Sequence, residues 1–455
     1  MILDRLAYWT TLAFICSIPW ENTIDLPPFG RVSRVMGLVS AVAWLIVVLT
    51  RRGVRKPHSF HLMFGLFLIW CGLTLYWSVA PGESASGFIT LIQLLGMLLI
   101  IWDVFRTQAG VEAALQAYVF GAWISAASLI VTYVTSTQSR FPAHQRYTIG
   151  SFEVDGIALI IALAIPAAWY LALYANAWSH RKPVRIINFA YLPMAAFAMA
   201  LTGTRGAAVA SVPTVLFVLW TLWRSTPRTR IAAAAAIGMA VILVSTLAPP
   251  ELLARIGSAV NEFASAGERG ETIWRRSLQV WNENPIVGVG LDAHRMAVPI
   301  GFHITQGVAH STIGKEAHNT FISILVETGV VGFAIFMGIA VAILRSVARA
   351  SRPVAFYWAT QLSVIAIGAQ TLSLEDSKAI WYFCGLAVAA TVPGLVRVAQ
   401  GGRASLTTAR VAGSQWRASP ASRQALTVAA GRYGERRTPM IGYNRNGNRA
   451  VRPGS

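Results

Sequence analysis

Charge is scarce in this chain. Only 13% of its 455 residues are Asp, Glu, Lys or Arg, about half the share of a soluble domain, so a soluble multidomain enzyme is a poor fit. Acids are scarcest: 19 Asp and Glu face 38 Lys and Arg, for a net charge of +19. Cysteine is rare too. Cys16, Cys71 and Cys384 sit in apolar stretches with no pairing or metal spacing, so neither a disulfide framework nor a zinc site is read from them. No internal repeat stands out, and the matched halves of many transporters are missing. What remains is apolar, with 55% hydrophobic residues and a mean hydropathy of +0.54. In such a chain an excess of arginine reports orientation before it reports nucleic acid, because Lys and Arg gather on the cytoplasmic side.

A bilayer core takes about 20 mostly apolar residues per helix. Twelve stretches qualify: 6–20, 35–49, 60–80, 84–102, 111–135, 154–177, 186–203, 207–223, 231–248, 319–344, 353–374 and 379–396. The first ends at Pro19-Trp20-Glu21, which is no small-residue cleavage site, so it reads as an uncleaved helix. Basic residues follow the even-numbered spans: Arg51, Arg52, Arg55 and Lys56 after the second, Arg181, Lys182 and Arg185 after the sixth, Arg224, Arg228 and Arg230 after the eighth, Arg345, Arg349 and Arg352 after the tenth. The expectation is an all-α polytopic membrane protein of about 12 transmembrane helices with both termini cytoplasmic. Its parts are spans one to nine (1–248), a periplasmic loop (249–318), spans ten to twelve (319–396) and a basic cytoplasmic tail (397–455). The tail holds eleven arginines and one acid, Glu435. It lacks the apolar periodicity to fold alone and reads as disordered or drawn to membrane lipids, not to nucleic acid. This topology puts 26 Lys and Arg with 4 acids on the cytoplasmic side and 12 with 15 on the other. Capture of an anion at the slightly acidic periplasmic face then depends on a few placed arginines.

Ionisable residues that cytoplasmic anchoring does not explain are the informative ones. Arg205 lies between glycines in Leu201-Thr-Gly-Thr-Arg-Gly206, at the periplasmic end of span seven. It is either an interfacial arginine snorkelling to lipid phosphate or a ligand for an anion that approaches closely. In the loop, a helix is expected over 268–282, with Trp274, Leu278 and Trp281 on an apolar face and Arg269 and Arg276 opposite. That arginine face suits lipid headgroups or an anionic substrate, since the guanidinium fork binds phosphate oxygens in pairs. Pro285-Ile-Val-Gly-Val-Gly290 reads as a tight turn. His318 opens span ten, as a helix-end structural group or as a proton acceptor. Gly329 and Gly332 return near its helical face and suit close packing of a neighbouring helix. Glu327, on the opposite phase, is expected to bond another helix. The loop histidines 294, 303, 310 and 318 match no common zinc spacing.

In order, Gly203-Thr-Arg205-Gly206, Gly267-Glu-Arg269 with Trp274, Pro285-Ile-Val-Gly-Val-Gly290 and His318-Asn319-x9-Gly329-x2-Gly332 resemble the bacterial O-antigen ligase and Wzy-type polymerase superfamily over about 150 residues. The last motif fits the ligase signature H-[NSQ]-x9-G-x2-G at each fixed position. The resemblance implies a GT-C-like architecture in the inner membrane. It implies an inverting glycosyl transfer on the periplasmic face, with no metal, nucleotide sugar or other cofactor. The donor would be a glycan on undecaprenyl pyrophosphate. The acceptor would be lipid A–core in a ligase, or another lipid-linked glycan in a polymerase of O-antigen or exopolysaccharide. By position His318 matches the family's base, and Arg205 and Arg269 match its pyrophosphate-contacting arginines. Arg275 and Arg276 are neighbouring candidates for that role, and Asn319, Gly329 and Gly332 form the structural motif. A flippase or other transporter is the reading from another class. It expects charges buried in mid-bundle, whereas here the notable residues gather at one edge.

Overall fold

The computed structural model describes residues 2–27, 30–51, 53–135, 146–175, 182–258, 273–298, 302–305, 308–311, 314 and 316–391. Arg269 and the tail after 397 lie outside them. The chain divides into two units, Met1–Arg397 and Val398–Ser455, and only the first is described below.

That unit begins with α1 (Ile2–Ser17), α2 (Val32–Arg51), α3 (Ser59–Thr74), α4 (Pro81–Val104), α5 (Gln108–Val134), α6 (Val154–Tyr174) and α7 (Lys182–Thr202). A divided helix follows, α8 (Arg205–Ala210) with α9 (Val212–Trp223), then α10 (Pro227–Leu247) and the short α11 (Pro250–Gly257). Two short helices, α12 (Arg275–Glu283) and α13 (His294–Ala297), precede α14 (Thr320–Ala348), α15 (Arg352–Gly368) and α16 (Lys378–Thr391). Side-chain oxygens start several of them: Thr107, Thr226 and Asn319 each accept from a backbone N–H of the first turn.

Among the described residues, eight helices are long and apolar enough to cross a membrane, with α8 and α9 taken as one. Two more, α3 and α16, are apolar but shorter. Each of the twelve expected spans falls on a helix, yet α1 and α15, at 16 and 17 residues, are in neither group. The all-α membrane bundle therefore stands, while twelve crossings do not follow from length and apolarity.

Burial sorts the helices. The apolar window of α6 is 83% buried and that of α10 only 17%, so α6 is central and α10 is an edge. Leu38, Leu49, Leu219 and Val241 point outward, a surface suited to lipid. Polar side chains inside find partners: the Gln116 and Asn188 amides bond reciprocally at 2.9 Å, and the Trp169 indole donates to Thr221 at 2.7 Å. Such pairing is required where no water competes.

Candidate active site

The site is built where α14 begins. Asn319 caps that helix, its Oδ1 accepting from the N–H groups of Phe321 and Ile322 at 3.0 and 3.2 Å. Its amide donates to Gln370 in the loop between α15 and α16 at 3.2 Å. Thr320 is stitched to the same loop: its N–H donates to the Ala369 carbonyl at 2.8 Å, and its hydroxyl donates to Leu372 and accepts from the Leu374 N–H. His318 stands just before this anchored turn with φ 49°. Among the described residues, it and Asp292 (φ 57°) are the two non-glycine positions in the left-handed region. Such a conformation costs about 1–3 kcal/mol and persists where surrounding contacts impose it. Trp274 contributes one such contact, its indole donating to the Ala317 carbonyl at 2.9 Å.

The arginine side approaches the same loop. Gly206 lies so close to Thr371 that an added Cβ would come to 2.6 Å from the Thr371 hydroxyl, and Thr371 follows Gln370, the partner of Asn319. Arg205 is thus brought to the neighbourhood of His318 through Gly206–Thr371 and Gln370–Asn319. Its Nε donates to the Arg255 carbonyl at 3.0 Å, while the Arg255 Nε donates to the Gly203 carbonyl at 3.1 Å. Arg146 binds the same turn from the other side, through the Thr202 carbonyl at 2.9 Å and Thr204 at 3.1 Å, and is ion-paired to Asp155. Sequence reasoning missed Arg146 and Arg255. The signal was there, since the expected topology puts both arginines on the face where basic residues are disfavoured, but nothing in their spacing ties them to residues 202–206.

Arg275 and Arg276 are exposed on α12, next to Trp274. That helix presents its faces differently from the expectation: Leu278 is 44% exposed, while Ile273 and Ser277 are buried and Val280 and Trp281 pack against the small apolar cluster that includes Val289 and Val326. His294 is also buried, bonded to Ser277 at 2.8 Å, which gives it a structural partner. Among the described residues, no group of three or more His, Cys, Asp or Glu is placed to hold a metal ion.

The two glycine motifs form one unit. Residues 285–290 run along α14 like a paired strand: Val289 N–H to Val326, Gly290 N–H to Glu327, and Val330 N–H to Pro285, at 3.0, 2.9 and 2.9 Å. Helix carbonyls and N–H groups become available for this because Gly329 (φ 65°, ψ −173°) breaks the helical path. The expected role for Gly329, packing a neighbouring helix, is therefore corrected. It opens the helix backbone to a loop, and a Cβ there would overlap the Ile286 carbonyl. Gly332 does face a neighbouring helix, with Trp70 of α3 against it.

Glu327 is likewise reassigned. Its partners are the Asp292 N–H at 3.0 Å and the Ser323 hydroxyl one turn earlier at 3.2 Å, so it pins the 285–292 segment and not another helix. Ser323 also lies 2.6 Å from Glu375. One hydroxyl hydrogen cannot serve two carboxylates, so the Glu327–Ser323–Glu375 contact holds together with a proton shared by the carboxyl pair. Glu375, in the α15–α16 loop, is pushed up to about 8 by burial, against the Ser323 hydroxyl, which lowers it. Burial, with Asp376 and Glu83 nearby, raises Asp292 to about 6. A carboxyl raised above its ordinary value stabilises the fold while protonated. For Glu375 that contribution is full below pH 4.5 and lost as pH rises through about 8. Thermal unfolding of the purified protein is expected at lower temperature at pH 8.5 than at pH 6, with the difference reduced in Glu375→Gln. Equal slopes in both proteins would exclude the shared proton.

The O-antigen ligase family model matches residues 189–337, from within α7 to mid-α14, a stretch that includes Arg205, Arg269, Trp274, His318, Asn319, Gly329 and Gly332. A search of curated proteins finds no match to the chain.

Proposed function

Because residues 189–337 carry the O-antigen ligase segment in an all-α membrane bundle, we propose that this protein is a glycan transferase with about twelve crossings and a GT-C-like architecture. It works at the periplasmic face of the inner membrane. It moves a glycan from undecaprenyl pyrophosphate to an acceptor hydroxyl, as an O-antigen ligase using lipid A–core. The observation that carries the reading is the meeting of the Arg205 turn and the His318–Asn319 helix start over residues 370–371.

In this scheme His318 takes the proton of the acceptor hydroxyl as that oxygen bonds to the anomeric carbon. The bond from that carbon to the pyrophosphate oxygen breaks, with inversion, and the electron pair leaves on the pyrophosphate. Arg205, with Arg269, stabilises the growing negative charge as fixed cations in a poorly hydrated site. Arg275 and Arg276 are secondary candidates for that contact. Arg146 and Arg255 act as positioning residues that hold the 202–206 turn. The backbone strain at His318 supports a site residue over a plain helix-end group.

The test is transfer by the purified full chain of undecaprenyl-pyrophosphate glycan onto lipid A–core. Arg205→Ala is expected to lower the rate about 10²–10³-fold, the range for removing one preorganised donor to a developing charge. No transfer by the wild type, alongside movement of the lipid-linked glycan across liposomes, would establish the transporter reading instead. A deletion strain separates the two transferase readings. Loss of all long glycan from lipopolysaccharide marks a ligase, and core bearing a single repeat marks an O-antigen polymerase.

A further inference from the structure

Helix α4 borders two recesses of different character on neighbouring parts of its surface. At its first turns Gly87 and Leu91 border a cavity of about 90 Å³ whose polar lining includes Asp292, Glu316, Glu375 and Asp376. Just further along, Thr90, Gln93 and Leu94 border a groove of about 280 Å³, closed by Phe14 of α1 and by Gly37 and Ala41 of α2. The groove is apolar along its length and cationic at one end, where Arg34 and Lys378 stand. Lys378 bonds Glu21 at 2.5 Å and Ser33 at 3.0 Å. Arg34 is exposed and has no ion-pair partner among the described residues. Lys378 lies two residues past Asp376, so the cationic mouth of the groove and the carboxylates of the cavity share one loop.

Each recess selects a different part of an amphiphile. A groove between membrane helices accommodates a hydrocarbon chain; from Arg34 to Ala41 it descends about 10 Å at 1.5 Å per residue. With Lys378 paired to Glu21, Arg34 is the cation at the mouth that suits a phosphate, and on the expected topology it lies on the side where basic residues are disfavoured. The cavity, whose lining also holds Arg295 paired to Glu316, presents a cluster of carboxyl groups and so suits hydroxyls, which donate to and accept from them. Glu375 Oε2 is buried there without a hydrogen-bond partner among the described residues, a vacancy a sugar hydroxyl would fill. Ala317 also lines this cavity, so His318 is next to it, with the Arg205 turn reached through Gln370 and Thr371. Anion-binding arginines and hydroxyl-binding carboxylates thus stand on two sides of the helix start.

We propose that groove and cavity together are the acceptor site, occupied by a phosphorylated glycolipid. Its chain lies between α2 and α4, a phosphate sits at Arg34, and hydroxyl-rich sugar enters the carboxylate cavity toward His318. The assignment rests on the transferase reading above and locates its acceptor. The full chain in zwitterionic-lipid nanodiscs is titrated with fluorescent lipid A–core, and phosphatidylglycerol serves as the competitor that has phosphate and chains but no sugar. Arg34→Glu, and Gly96→Trp at a groove position where an added Cβ meets nothing within 4 Å, are each expected to weaken binding about tenfold. Arg205→Ala keeps it. Absent binding by the wild type, unchanged affinity in both groove variants, or displacement by phosphatidylglycerol as effective as by unlabelled lipid A–core would overturn the proposal. Transfer is measured on the same samples. Intact transfer with unchanged affinity in the groove variants removes the acceptor site and leaves the transferase standing. The expected binding pattern without transfer by the wild type removes the transferase and leaves the glycolipid site.

Discussion

Glycan transfer by His318→Ala is expected to fall about 10²–10⁴-fold, the usual contribution of a positioned general base. The argument starts from position: the residue immediately precedes a helix turn fixed by Asn319 and Thr320 to the α15–α16 loop. Its left-handed backbone is held against a local cost, as at sites where geometry serves chemistry. His318→Gln is the more searching variant, because an amide keeps hydrogen-bonding groups at the position but takes up no proton at neutral pH. If His318 is the base, both variants lose rate with unchanged affinity for lipid-linked donor and unchanged thermal unfolding. If the imidazole is only a structural group, Gln recovers much of the rate. Wild-type turnover in both would remove His318 from the mechanism.

Gly329→Val is expected to leave little folded protein in the membrane. At φ 65° and ψ −173° the backbone occupies a region that is essentially glycine's alone, costing a side-chain-bearing residue about 1–3 kcal/mol. The added Cβ would also overlap the Ile286 carbonyl. Relieving that overlap means moving residues 285–290 off α14 and losing the four backbone bonds made between them. Strain, overlap and lost pairing together are expected to cost about 3 kcal/mol or more. Gly338 on the same helix is the matched control: it has ordinary helical geometry, and a Cβ there would meet only the Met63 sulfur at 3.6 Å. Gly338→Ala is expected to be neutral or mildly stabilising, by up to about 1 kcal/mol. Membrane yield and unfolding temperature of the two variants provide the comparison, and a Gly329→Val protein as stable as Gly338→Ala would refute the strained-loop account.

The same glycine marks how far the sequence could be read. A period of 3.6 placed Gly329 and Gly332 near the face of His318, which is sound if the helix is continuous. Gly332 does pack a neighbouring helix, against Trp70. Gly329 interrupts the helix because residues 285–290 pair with its exposed backbone, and the partner segment lies some forty positions earlier. Trp274, expected on the apolar face of its helix with Leu278 and Trp281, contacts Ala317 beside His318. Leu278, expected on the same face, points outward, because the described segment packs through Ile273, Val280 and Trp281.

Properties set by neighbours along the chain were legible without coordinates. Apolar runs of membrane length and the basic residues between them depend on composition and on local spacing, which hold wherever the segment ends up. The carboxyl pair of Glu327 and Glu375, joined through Ser323, spans some fifty positions, as do the bonds that tie Arg205 and Gly203 to Arg255. Long-range bonds of this kind leave no periodic trace, because each partner satisfies its own local helix or loop equally well without the other. They come into being when helices pack and solvent leaves. Packing therefore determines which arginines surround the 202–206 turn and where the carboxylates gather.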